Sequence, residues 1–225
     1  MRSALQCGDP RWPGCRTTAF LLFLAILQVR PPLYGRAESY ARPSIPITIR
    51  LYDQVPLDDG YLQGAKAIPT RVFNRVAVNV SWRDVPNPFV GPPTLDYSNN
   101  PPAPCLHEIG VKIVRSAPPG TDSKMLAMTL PRSRGALQIV VYWDRVQNFH
   151  RSNCRAGSLC LNVTSVLGYV LVHEVAHVLF GSAEHSETGL MRAHWGEAEL
   201  LKMEQDQLGF FKAQGTTIYH RCGEW

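Results

Sequence analysis

None of the 6 cysteines in this 225-residue chain stands in a CxxC pair, which argues against a structural zinc held by thiolates. No Lys/Arg-rich run with interleaved aromatics follows residue 37, so nothing in the sequence points to nucleic acid. Internal repeats, coiled-coil heptads and low-complexity segments are also missing, which excludes solenoids and fibrous arrays. The apolar run at 19–29, AFLLFLAILQV, has only 11 residues, and spanning a bilayer takes roughly 20.

That short run follows Arg2, Arg11 and Arg16 and precedes the small residues of Gly35-Arg36-Ala37. It reads as the apolar part of a secretory signal peptide over residues 1–37, leaving one domain over 38–225. No cysteine follows at lipoprotein spacing, so release is expected, giving a secreted or extracytoplasmic protein with no membrane attachment. The leader also carries most of the positive charge. Residues 1–37 hold five Arg and one Asp, so their removal takes the net charge from +5 to +1. Cys7 and Cys15 leave with it. Cys105, Cys154, Cys160 and Cys222 remain, an even number in an exported chain, and two disulfides are expected. Of three possible pairings, the expected one is Cys154–Cys160 with Cys105–Cys222.

What is present is the string His173-Glu174-Val175-Ala176-His177, an HExxH motif inside a strongly apolar run. The five letters alone arise in roughly 1% of chains of this composition, so their surroundings decide. Residues 161–180 read as one helix, with Asn162 or Thr164 as N-cap and Gly181 just past its end. Val166, Leu167, Val170, Leu171, Val175, Val178 and Leu179 cover nearly its whole circumference, the pattern of a central buried helix. Positions four apart share a face, so both imidazoles can reach one Zn²⁺. Two histidines and a glutamate are costly to bury without partners, and a metal supplies one to all three. Glu174 is then placed to take a proton from water activated by the metal.

Catalytic zinc commonly takes three protein ligands. His185 follows the helix after a short turn, and Met191 stands six residues beyond it. Here the chain resembles the metzincin clan of zinc endopeptidases, marked by HExxHxxGxxH and a methionine in a tight turn beneath the metal. The resemblance implies His173, His177 and His185 as zinc ligands, Glu174 as general base and Met191 as the turn methionine. The spacing departs from the clan's pattern, with Gly181 four and His185 eight residues after His177. Glu197, Glu199 and His194 stay open as alternative third ligands. More loosely, the chain resembles secreted bacterial proteins with an HExxH helix, a downstream His-Ser and a Gly-Ile/Leu-Met-Arg turn.

The rest of the chain reads as strand (47–52), helix (58–74), strand (76–82), a Pro/Asn-rich loop (86–104), and strands at 109–114, 126–130 and 135–143. After the zinc helix comes a short helix near 196–207. This order resembles the metzincin layout. It implies an α+β zincin fold with a mixed twisted sheet, a central HExxH helix and a small C-terminal helical subdomain. The strongest strand signal, 135–143, is the candidate free edge for an extended substrate, with an ordinary interior strand as its alternative. The expected activity is zinc-dependent hydrolysis of protein or peptide substrates by a monomer. Two alternatives remain: an exported binding module with zinc as a structural staple, and a zinc hydrolase acting on a non-peptide bond.

Overall fold

The computed structural model describes residues 44–55, 57–85, 107–129, 137–154 and 160–223. The signal peptide expected over 1–37, the loop at 86–104 and Cys105 lie outside the described residues. Residues Ala41–Trp225 form one compact unit.

β1 (Ile45–Asp53) turns Ile45, Ile47, Ile49 and Leu51 into the core and Pro46, Thr48 and Arg50 outward, as a period of two requires. α1 (Asp59–Asn74) starts at Asp58, whose carboxylate accepts the Gly60 N–H at 2.8 Å. β2 (Val78–Asp84) follows a left-handed residue, Ala77 at φ 59, so the strand starts two residues later than the alternation alone suggests. β3 (Glu108–Val114) pairs parallel with β1 on its other side. β4 (Ala127–Thr129) and β5 (Ile139–Tyr142) complete a five-stranded mixed sheet in the order β2-β1-β3-β5-β4.

The position of β5 decides between the two readings of 135–143 in favour of the interior strand. It lies inside the sheet, parallel to β3 and antiparallel to β4, so among the described residues the edge on that side is β4. All four residues of β5 are buried, as a strand covered on both faces demands. Trp143, read as part of that strand, instead opens α2 (Trp143–Asn153), a helix the sequence reading did not anticipate. Its first turn carries Asp144, but Tyr142 at the N-cap offers no side-chain cap, and Val146 is its one buried residue. A helix with so little signal merges into the strand before it.

α3 (Val163–Phe180) carries the HExxH motif and starts on Asn162, whose side chain accepts the Thr164 N–H at 2.9 Å. It is long and apolar enough to cross a membrane, with a mean hydropathy of 1.6. In the fold, however, every residue from Val166 to Leu179 is buried, which is the arrangement of a core helix. With α1 it covers one face of the sheet. On the opposite face Tyr52, Leu137, Val140 and Tyr142 form a second, smaller apolar cluster. α4 (Glu197–Glu204) and α5 (Lys212–Gly223) follow, and α5 buries Ile218 and Cys222 in the main core. Cys222 is disulfide-bonded.

α1 and α3 approach closely at Gly168. A Cβ there would sit 2.6 Å from Ile68 Cδ1 and 2.9 Å from the Ala65 carbonyl oxygen. Gly168→Ala is therefore expected to lower stability by about 1–3 kcal/mol, although alanine is the better helix former. Denaturant midpoints check this; a midpoint that rises would show that the helices are not in such close contact.

Candidate metal centre

α3 sets His173 and His177 one turn apart on one face, with ring centroids 4.7 Å apart. Each ring is fixed by a backbone carbonyl. His173 Nδ1 donates to the Leu190 oxygen at 2.9 Å, and His177 Nδ1 donates to the Ser182 oxygen at 2.9 Å. A carbonyl can only accept, so both Nδ1 atoms carry the proton and both neutral rings present Nε2 as a lone pair. The two Nε2 atoms lie 3.0 Å apart and face each other. Two lone pairs cannot hydrogen-bond to one another, whereas a cation between them satisfies both. Tetrahedral zinc at its usual distance from imidazole nitrogen would hold two such atoms about 3.3 Å apart, so the donor pair fits the ion.

His185 completes the cluster. Gly181 ends α3 in the left-handed conformation (φ 60, ψ 28), which turns the chain back toward the histidines. The guanidinium of Arg221 on α5 packs against that glycine, where a Cβ would lie 2.2 Å from Nη2. The His185 ring stacks 5.3 Å from His173 and stands edge-on 4.8 Å from His177. One nitrogen from each of the three rings lies within 4.8 Å of the others. The two extra residues in this turn, relative to the metzincin spacing, thus leave the cluster closed.

The segment beneath the histidines is a tight turn. Ser186 N–H donates to the Met191 oxygen at 2.8 Å, Gly189 sits at φ 80, and Met191 is buried. The Leu190 oxygen also accepts the Trp195 indole N–H at 3.0 Å, and that indole stands edge-on to the His173 ring. Glu199, weighed as a ligand, is occupied elsewhere. Its Oε1 accepts from Gly189 N–H at 3.2 Å, and its Oε2 accepts from Gly196 N–H at 2.9 Å and Arg192 Nη1 at 2.8 Å. The acid pins the turn from below, a role that its place three residues after Gly196 could have signalled. Glu197 is exposed and outside the cluster, while His194 lines the same cleft.

Burial pushes the His173 and His177 pKa values down to about 4, and their proximity depresses His177 further. His185 is also lowered, by burial first and by His194 second. Glu174 moves the other way, raised by burial against the opposing effects of its hydrogen bond from Thr129 and the neighbouring His177. Thr129 Oγ1 on β4 donates to Glu174 Oε2.

These groups floor a cleft of about 730 Å³. One wall is Asp122 to Thr129, another is Ala193 to Trp195, and a third is the α2 face that carries Arg145 and Phe149. Phe149 and Trp195 meet edge-on with centroids 6.4 Å apart. The expected disulfide Cys154–Cys160 is present, with an S–S distance of 2.03 Å, and it ties the end of α2 to the loop before α3. With its sulfurs so joined, the nearby His150, Cys154 and Cys160 group is not a thiolate metal site.

No family model and no curated protein matches the sequence. Among solved structures the chain is similar to archaemetzincin from Methanopyrus kandleri, at 12% identity and a TM-score of 0.44, covering 80% of this chain and 97% of that one. It is also similar to metalloproteinase-II from Bacteroides fragilis, at 11% identity and a TM-score of 0.45, covering 83% of this chain and 55% of that one.

The depressed histidine pKa values predict a pH dependence for the metal-free protein. Between the unfolded value of 6.5 and the folded value of about 4, the unfolded chain binds more protons, so stability falls as pH falls through that window. For His173 the full loss is on the order of 3 kcal/mol. In chelated protein, the stability difference between wild type and His173→Gln should shrink on acidification from pH 7 to pH 4. A difference independent of pH would remove the assignment of a neutral, buried His173.

Proposed function

We propose that this chain is an exported zinc-dependent peptidase in which His173, His177 and His185 hold the ion and Glu174 is the general base. The observation that carries the reading is the pair of facing Nε2 lone pairs, with a third imidazole beside them and a carboxylate in the same cleft. Structural zinc sites are closed by four protein ligands, whereas among the described residues the cluster around His173 has three imidazoles and opens on a cleft. That favours catalysis over a zinc-stapled binding module.

Bound zinc supplies Lewis acidity, which makes water more acidic and polarises a carbonyl. The protein's own groups do the rest. His173 and His177 stay neutral and oriented through the Leu190 and Ser182 carbonyls, which is the outer-shell support that metal-bound imidazoles need. Glu174 takes the proton of the attacking water and passes it to the leaving amine. Burial favours its protonated form after the first transfer, which suits the second. The outer edge of β4 lies beside this cleft, where an extended peptide can add as a further strand. Release by the leader at 1–37, an extracytoplasmic location and a monomeric state belong to this proposal.

The test is cleavage of a mixed peptide library by the zinc-loaded protein. Glu174→Gln should keep one zinc and its thermal midpoint while losing cleavage by about 10²–10⁴-fold. A chelator should stop the wild type, and zinc should restore it. If both proteins hold zinc and neither cuts any peptide, the peptidase reading gives way to a binding module or to hydrolysis of another bond. His185→Ala should lose tight zinc binding in equilibrium dialysis; stoichiometric zinc in that variant would move the third ligand to His194 or Glu197.

A further inference from the structure

The geometry at β4 gives Glu174 a partner from outside α3. Thr129 Oγ1 donates to Glu174 Oε2 and lies 3.5 Å from the Glu174 carbonyl oxygen. A threonine hydroxyl has one proton, and within a helix that carbonyl has the N–H four residues on to accept. The hydroxyl proton is therefore given to the carboxylate. We infer that Thr129 is a positioning residue for the base, holding one carboxylate oxygen so that the other is presented to the attacking water. The inference rests on the peptidase reading.

The sheet makes this placement obligatory. Thr129 pairs with Ile139 and Ala127 with Val141, both partners in the main core beneath α3. Met128 points to the opposite face, against the cluster that contains Val140. Strand alternation thus sends positions 127 and 129 toward α3, and a slip of one residue would replace the hydroxyl with a thioether. Threonine is β-branched, so its χ1 is stiff on a strand and the hydroxyl is aimed rather than mobile. Glutamate has three side-chain torsions and gains orientation from such an anchor. Glu174 is 9% exposed, and Thr129 is the side chain among the described residues that donates to it. The outer edge of β4 is also where an extended peptide would pair, so one strand would both align the substrate and fix the base.

The experiment compares Thr129→Val, which removes the donor at nearly constant shape, with Thr129→Ser, which keeps it. In zinc-loaded protein, Thr129→Val should lower kcat by about 100-fold through misplacement of the base, with KM and zinc content unchanged. Thr129→Ser should recover most of that loss. A second readout needs no turnover: the side-chain carboxyl ¹³C resonance of Glu174, assigned through Glu174→Gln, should move in Thr129→Val and return in Thr129→Ser. Wild-type kcat in Thr129→Val, or an equal loss in Thr129→Ser, overturns the inference. So does an unmoved carboxyl resonance. A wild type that cleaves nothing overturns the peptidase reading instead, and the resonance then reports separately on whether Thr129 holds Glu174.

Discussion

Two imidazoles and a carboxylate sit in the middle of a helix that is buried on every side, and the rest of the site is arranged to satisfy them. Leaving any of these groups unpaired in an apolar interior costs several kcal/mol. Each imidazole has two nitrogens, so each needs two partners. Backbone carbonyls supply the first partner and fix the tautomer; the facing Nε2 atoms are left with none except a cation or a proton. Burial resists the proton, which is why the histidines titrate low. The same burial that makes the helix a good core element therefore leaves two facing nitrogens that a cation would satisfy.

The carbonyls that orient the rings come from the chain after α3, so the helix cannot prepare the site alone. Ser182 follows Gly181 directly, and the left-handed glycine puts its carbonyl back over the last turn. Leu190 reaches His173 only because the turn at Gly189 is held from below by Glu199 and from the side by Trp195. Glu199 is nearly fully buried and accepts from two backbone N–H groups and one guanidinium, which holds its pKa below the usual carboxylate range despite burial. Removing that carboxylate would strand three donors beneath the histidines, a loss felt first at the His173 ring. It also explains why an acid at ligand-like spacing is not beside the histidines.

How much of this was legible in the sequence depends on whether the signal was local. The helix periodicity, the Asn162 cap, the Gly181 stop and the one-turn spacing of His173 and His177 are local, and they located α3 within two residues at its start. His185 was legible only through resemblance, because nothing in the seven intervening residues dictates that the chain turns back. The stretch read either as a free edge or as an interior strand proved to be interior, for a physical reason. Residues 139–142 are the most apolar stretch of the sheet because they are covered on both faces, while an edge strand needs less burial and so gives a weaker signal. α2 and α5 were missed because each buries only one or two side chains; α5 also carries Thr216, Thr217, Ile218 and Tyr219, residues that favour strands.

On the peptidase reading, strand addition at β4 would align a substrate's main chain without distinguishing one side chain from another. Selection among substrates must then draw on side-chain pockets. The walls able to supply them are the α2 face with Arg145 and Phe149 and the segment with His194 and Trp195, two pieces of chain that flank α3 in sequence. The Cys154–Cys160 bond secures the first of these to the base of α3. Selectivity in such a cleft would follow the shape and charge of those two walls, while the chemistry stays with the helix between them.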